Sequence, residues 1–361
     1  MNMRGTNMRG SRRQFLHALS GLACLGLARS TSYAQEKPVA PRRLFCLQTY
    51  SYSIRHRQER GFDDPLALMR FTSRLGFAGV QLRLGERNAD YLAQIRAEKA
   101  KLEILLEGIV TPPMQEKDSD RFEAELRACQ AAGIDIVRMA LLSGRRYETF
   151  RSAEDFRQFR ARCEQALARC ARLAARHKIR VAVENHKDFR AREFAELVQR
   201  PGSEFVGVCL DTGNNIALLE DPWFVVDTLA PLTLTVHLKD MAVETASDGF
   251  LLAEVPLGRG FLDLHRVVRR IHEARREARF HLEMITRNPL SIPCLADDYW
   301  RTLAEVPGID LARTLGLVRR HARASNELPR ISTLDVKEQI QREHDHVLQS
   351  LRWGRERLFQ G

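Results

Sequence analysis

Two glutamates, an aspartate and a histidine close four successive apolar runs in the second half of the chain. The runs are Ile179-Arg-Val-Ala-Val-Glu184-Asn-His186, Phe205-Val-Gly-Val-Cys-Leu-Asp211-Thr-Gly-Asn214, Leu232-Thr-Leu-Thr-Val-His237-Leu-Lys239-Asp240 and Phe280-His-Leu-Glu283-Met284. Three carboxylates and one imidazole make a donor set for a divalent cation. Carboxylates suit Mg²⁺ or Mn²⁺, imidazole also suits Zn²⁺ or Co²⁺, and Mn²⁺ accommodates the mixture best. Four protein ligands, Glu184, Asp211, His237 and Glu283, leave a six-coordinate ion two open positions, which suit neighbouring oxygens of a hydroxy-ketone. Such an ion polarises the carbonyl and steadies the enediolate left when a proton departs the adjacent carbon. A carboxylate must then act as base within hydrogen-bond reach of that carbon. Glu184 and Glu283 could each turn an oxygen to opposite faces of the substrate, one removing the proton and the other returning it.

Neighbouring polar residues complete the expectation. His186 is read as a hydrogen-bond partner for a substrate hydroxyl and Lys239 as a stabiliser of developing negative charge. Asn214 and Arg287 are looser candidates for substrate contact, and Asp240 is expected to orient its neighbours. Singly, each has a structural explanation: a strand-end glutamate as an ion-pair partner, Asp211-Thr-Gly as a turn, His237 as a satisfied core residue. Their recurrence at the same end of four runs favours the metal reading. His344-Asp-His346 lacks helical i, i+4 spacing and is expected to face solvent.

Side chains along a strand alternate faces. Val181 and Val183 oppose Ala182, Glu184 and His186; Val206, Val208 and Leu210 oppose Gly207, Cys209 and Asp211. Leu232, Leu234, Val236 and Leu238 oppose Thr233, Thr235, His237 and Lys239, and Phe280, Leu282 and Met284 oppose His281 and Glu283. Bulky residues on one face and small or polar ones on the other suit a closed barrel with one helical coat. An open sheet covered on both sides would be apolar on both faces. Further strands are expected at 44–50, 77–83, 102–110 and 134–142, with helices at 63–75, 89–101, 121–132, 153–177, 191–199, 222–229, 262–278 and 311–321. This is an α/β chain, a (β/α)8 TIM barrel over 43–325, whose active sites lie at the C-terminal ends of the strands. Asp248-Gly249 before Phe250–Val255 reads as a hairpin after the seventh strand, and 286–294 as a long loop at the barrel mouth. Residues 326–361 form a helical extension whose apolar stripe, including Val336, Ile340, Val347 and Leu351, could pack on the barrel or on another copy of the chain.

Composition fits an enzyme of ordinary solubility: 361 residues, 44% hydrophobic and 29% charged. Residues 1–34 read as a twin-arginine export signal, with Arg12-Arg13 before the apolar 18–28 and Ser32-Tyr33-Ala34 as a cleavage site, then a linker over 35–42. The run is too short for a comfortable permanent anchor, so a periplasmic protein with no stable membrane anchor is expected. Export also favours an unphosphorylated sugar, sugar phosphates being mainly cytoplasmic. The net charge of +11 falls to +6 without the five arginines of the signal, and the remaining basic residues alternate with acids along helices. That pattern gives no nucleic-acid surface. The cysteines form no paired motif and read as buried small hydrophobes.

These residues resemble the xylose isomerase-like barrel superfamily over about 43–322, with Val183-Glu-Asn-His186 and Leu210-Asp-Thr-Gly-Asn214 as typical stretches. That superfamily includes sugar isomerases, sugar 3-epimerases, inosose dehydratases and endonuclease IV. The resemblance implies a Glu-Asp-His-Glu metal set at Glu184, Asp211, His237 and Glu283, with both glutamates moving protons. Epimerases usually place histidine where this chain has Asn214 and arginine where it has Val243, and the extra histidines of endonuclease IV are missing at the matching strand ends. The resulting expectation is a metal-dependent isomerase or epimerase acting on a small carbohydrate. A 3-keto-glycoside lyase or dehydratase using β-elimination at the same site is the second expectation, and a non-catalytic carbohydrate-binding barrel the third.

Overall fold

The computed structural model describes residues 45–360; the expected export signal and linker lie outside the described residues. Eight parallel strands close into a barrel. They are β1 (Phe45–Gln48), β2 (Gly79–Leu82), β3 (Leu105–Ile109), β4 (Ile136–Ala140), β5 (Arg180–Glu184), β6 (Val206–Asp211), β7 (Thr233–Leu238) and, after an intervening hairpin, β10 (Arg279–Leu282). β10 pairs with both β7 and β1, which shuts the cylinder. The hairpin is β8 (Asp240–Ala246) and β9 (Gly249–Val255), and β11 (Leu290–Ile292) of the loop after β10 joins β9 antiparallel. This three-stranded sheet follows the C-terminal ends of β7 and β10, at the mouth where the ligand side chains gather.

Alternation explains why the barrel forms. Val80, Leu82, Val137, Met139, Val181, Val183, Val236, Leu238, Phe280 and Leu282 all join helix side chains in one buried core. Each large apolar side chain so buried contributes about 1.5–3 kcal/mol. Gln81, Glu107, Arg138, Glu184, Asp211, His237, His281 and Glu283 are equally buried but lie outside that core. One residue breaks the expected parity. A bulge between Val208 and Cys209 shifts the β6–β7 register, and Leu234 packs with Ile136, Ala182 and Cys209 instead of with the helical coat. Gly207 makes room for it, since a Cβ there would sit 2.7 Å from Leu234 Cγ.

The helices start where side chains can cap them. The Ser152 hydroxyl accepts from Asp155 N at 3.1 Å to open Ala153–His177, and Asp221 accepts from the amides of Trp223 and Phe224 to open the short helix Pro222–Leu229. The last part of the chain departs from expectation. Helix Gly308–His321, expected to be the eighth of the coat, packs on the hairpin sheet, with Val318 among Met241, Val243 and Phe250. The C-terminal helix Val336–Arg357 takes the place beside β10 and β1: Val347 and Leu351 enter the main core, and Phe359 stacks on Phe45 at 4.8 Å. Val347 and Leu351 are thereby turned to the barrel, while Val336 at the start of the helix is exposed.

His344 and His346 do not both face solvent. His346 is buried, with its Nδ1 2.9 Å from Thr286 Oγ1, and His344 Nδ1 lies 2.9 Å from the Tyr52 hydroxyl. Glu343, one residue earlier, accepts from Ile54 N at 2.6 Å and Arg55 N at 3.0 Å. The C-terminal helix thus pins the loops that follow β1 and β10. The six cysteines of the described residues are buried and form no disulfide. No helix among the described residues is long and apolar enough to cross a membrane.

Candidate metal centre

The four strand ends bring Glu184, Asp211, His237 and Glu283 together, each offering one ligand atom, all within 4.8 Å of one another. Local sequence explains the aim of each. Asp211 Oδ1 accepts from Gly213 N at 2.9 Å and Asn214 N at 2.8 Å, so the Asp-Thr-Gly-Asn turn uses one oxygen and leaves Oδ2 for the centre. Asn185 ties β5 to β6 by accepting from Asp211 N and donating to Asp211 O. Thr212 Oγ1 exchanges hydrogen bonds with both backbone groups of Lys239, at 2.9 and 3.0 Å, and ties β6 to β7.

The two glutamates flank His237 in matching fashion. Asn214 Nδ2 donates to Glu184 Oε1 at 3.1 Å, and Gln48 Nε2 donates to Glu283 Oε1 at 3.0 Å. Their other oxygens lie 3.5 and 3.4 Å from His237 Nδ1. The opposite imidazole nitrogen is fixed by a relay below. Gln81 spends its amide N–H on Glu107 Oε2 at 3.1 Å, so its oxygen faces His237 and accepts from Nε2 at 2.9 Å. Nδ1 then faces the centre, as expected of a metal-binding histidine whose other nitrogen is held. Against the effect of burial, Cys209 and Glu283 raise the imidazole to about 10, so in the metal-free chain Nδ1 carries a proton that a cation would displace.

Asp211 Oδ2, His237 Nδ1 and Glu283 Oε2 are buried without a hydrogen-bond partner. A cation bound between them would take the place of the proton on His237 Nδ1 and join Lys239 in compensating the two carboxylate oxygens. The Lys239 ammonium forms ion pairs with both oxygens, 2.9 Å from Asp211 Oδ2 and 2.7 Å from Glu283 Oε2. Arg138, from β4, pairs with Glu184 Oε2. The donor set therefore already draws cations and fits a divalent ion. Cys209 Sγ lies near Glu184 and His237 as well, but burial raises its thiol pKa and makes it the weaker donor.

Burial acts on Glu283 to raise its pKa, yet Lys239 and His237 outweigh it and hold the carboxyl well below its usual range. Burial, with Lys187 and Arg138 nearby, keeps the His186 imidazole neutral, and its buried Nδ1 has no partner. Arg287 is committed: its guanidinium forks onto Glu254 of β9, with Nε 3.1 Å from Oε2. Asn214 positions Glu184 and accepts from Lys187. Asp240 does orient its surroundings, accepting from the amides of Met241, Gly258, Gly260 and Leu262 and so shaping the loop after β9.

Sequence reasoning missed Gln48, Gln81, Glu107, Arg138, Lys187 and Glu254. For three of them the signal was present. Val80-Gln81-Leu82, Leu106-Glu107-Gly108 and Val137-Arg138-Met139 each place one polar residue inside an apolar strand, on the inward parity. A cleft of about 1300 Å³ lies elsewhere, between the helices Ala153–His177, Pro222–Leu229 and Gly308–His321, and none of the metal-centre residues lines it.

Comparison with known proteins agrees with this architecture. Residues 69–306 match the family model described as xylose isomerase-like TIM barrel. The chain belongs to that family. It shares 32% identity over 98 residues with a 3-oxo-isoapionate decarboxylase of Pectobacterium atrosepticum, a stretch that is 26% of this chain and 36% of that protein. Among solved structures it is similar to a D-psicose 3-epimerase crystallised in the presence of D-fructose, with a TM-score of 0.53, 19% identity, and coverage of 77% of this chain and 98% of that one. A D-tagatose 3-epimerase-like protein gives a TM-score of 0.51 at 12% identity, covering 76% and 98%. At these identities the likeness is one of fold.

Proposed function

We propose that this chain is a metal-dependent sugar isomerase or epimerase acting on an unphosphorylated ketose or keto-sugar through an enediolate. The observation that carries this is the pair of glutamates set on either side of His237, each with one oxygen tethered by an amide and the other turned to the centre. A divalent cation held by Glu184, Asp211, His237 and Glu283 would polarise the substrate carbonyl and lower the acidity barrier at the neighbouring carbon. One glutamate takes the proton from that carbon; the electron pair becomes the new carbon–carbon double bond and the carbonyl oxygen takes the charge. Lys239, beside Glu283, is placed to offset that charge, and the neutral His186 to hold a hydroxyl. The other glutamate returns a proton to the opposite face, giving the epimer. Isomerisation follows instead if the proton returns to the former carbonyl carbon while a hydroxyl gives up its own. β-Elimination shares the first step and diverges when a leaving group departs. Arg12-Arg13 and the apolar segment after them support a periplasmic site of action.

The test is metal analysis of the purified chain, followed by incubation with ketoses in deuterated water. Exchange of one carbon-bound hydrogen with the sugar's composition conserved is the expected result. Release of water or an aglycone would reassign the chain to elimination, and absence of both exchange and release would leave a binding protein.

A further inference from the structure

Asn214 stands between two of the four ligands. Its backbone N–H donates to Asp211 Oδ1 at 2.8 Å, and its side-chain Nδ2 donates to Glu184 Oε1 at 3.1 Å and to Asn185 O at 3.3 Å. An amide side chain keeps its shape when its oxygen and nitrogen trade places, so its partners decide which end faces where. Turned over, Asn214 would set its oxygen against Glu184 Oε1 and Asn185 O, both acceptors. The groups that forbid this lie at the other end. The Lys187 ammonium donates to Asn214 Oδ1, and Lys239 Nζ lies 3.4 Å from the same oxygen.

The two lysines are not equivalent. Lys239 is committed to Asp211 and Glu283. Lys187 is 3% exposed, and among the described residues its ammonium makes no ion pair; the partner it finds is the neutral Asn214. Its backbone is fixed too, with Lys187 O accepting from Arg146 N at 2.7 Å. A buried cation is costly unless paired, and burial beside Lys239 and Arg287 brings this ammonium down to about 7. An apolar side chain would carry no such cost. The amides that hold the other ligand side chains are fixed by a further group in the same way. Glu107 Oε2 takes the N–H of Gln81, and the Tyr50 N–H donates to the oxygen of Gln48. We propose that Lys187 is a positioning residue: by holding Asn214 Oδ1 it keeps the amide N–H on Glu184 Oε1, and so keeps Glu184 Oε2 turned to the metal centre. In this role it touches no substrate. The role rests on the reading of Glu184 as metal ligand and proton carrier.

The test is a double-mutant cycle on the full chain: wild type, Lys187→Met, Asn214→Ala and the two combined, each titrated with Mn²⁺ by calorimetry. Thermal unfolding reports whether each variant folds, and Lys187→Gln stands in if the methionine variant does not. Lys187→Met should cost about fivefold or more in Mn²⁺ affinity when Asn214 is present, relative to its effect in the Asn214→Ala background. Removing a charge near the cation acts alike in both backgrounds and drops out of the comparison. In the metal-free chain, hydrogen exchange of the Asn214 side-chain amide, followed by NMR, should quicken about tenfold or more in Lys187→Met. Unchanged amide exchange overturns the proposal, and so does an equal effect on Mn²⁺ affinity in both backgrounds. Faster amide exchange in chains that bind no Mn²⁺ removes the metal and enediolate readings, and leaves Lys187 as the residue that fixes Asn214 against Glu184.

Discussion

Replacing Gln81 by methionine removes the relay that fixes His237 while keeping the volume of the side chain. Gln81 is fully buried, so water cannot take over its role. Two hydrogen bonds disappear, one at 2.9 Å to His237 Nε2 and one at 3.1 Å to Glu107 Oε2. Glu107 keeps Arg279 at 3.5 Å, so the group stranded is the imidazole N–H. Stranding it should lower the stability of the metal-free chain by about 1–3 kcal/mol. With Nε2 no longer committed as the donor, the imidazole is free to change tautomer or rotate, and Nδ1 loses its fixed aim at the centre. Loss of such an outer partner typically costs about 10–100-fold in metal affinity or activity. Titration of Mn²⁺ into wild type and Gln81→Met, beside chemical denaturation of both metal-free proteins, reads the two effects separately. A variant that is destabilised yet binds Mn²⁺ within twofold of wild type would refute the reasoning, because His237 would then not be a ligand.

Other expectations follow from the same contacts. Asp211→Asn can keep the Oδ1 contacts to Gly213 and Asn214, so the fold should persist by circular dichroism while Mn²⁺ no longer raises the melting temperature. Glu283→Gln removes a proposed proton carrier and should slow deuterium exchange into substrate by about 10²–10⁴-fold, measured by NMR. The Lys187 pKa, lowered to about 7 by burial, means that between that value and its ordinary 10.5 the unfolded chain binds the extra proton. Stability of the metal-free chain should therefore rise with pH across this window, and the rise should flatten in Lys187→Met when denaturation curves are compared pH by pH. Phe359→Ala removes a ring buried against Phe45 and Phe280 and should cost about 3–5 kcal/mol in denaturant unfolding.

What the sequence made legible followed a physical division. Strand ends in the second half could be found because a ligand-type residue stops an apolar run, as Val183-Glu184 and Val236-His237 do. The supporting layer could not be found that way. Glutamine is not a usual ligand, and Gln81, Glu107 and Arg138 matter through partners on other strands that only closure of the barrel brings near. The C-terminal helix was legible as a helix that could pack on the barrel, but only part of its buried face was. Its buried stripe is Glu343, His346, Val347, Ser350, Leu351 and Gly354, a helical repeat in which half the members are polar. Counting apolar letters alone finds two of those six, which is why His346 reads as solvent-facing although it is buried. Gly354 is in the stripe because a Cβ there would lie 2.7 Å from Phe45 Cε1.

The C-terminal helix and the metal centre are parts of one arrangement. Glu283 follows the last residue of β10, and the backbone around it is held by Ser51, which donates to Leu282 O at 2.9 Å and accepts from Met284 N at 3.0 Å. Ser51 lies in the helical turn Thr49–Tyr52 after β1, which runs straight into the short helix Ser53–Gln58, whose Ile54 and Arg55 amides are held by Glu343 of the C-terminal helix. Gln48, at the end of β1, holds Glu283 Oε1 directly. The final helix therefore reaches the proposed acid/base through two short links, β1 and its loop, and on the far side through His346 to Thr286. A site that must hold two carboxylates against mutual repulsion needs such rigid backing, because a shift of about 1 Å at a reacting group can cost about 10²-fold in rate. The same logic explains why this helix packs beside the first strand: it covers the β1–β10 seam of the barrel, where Glu283 stands.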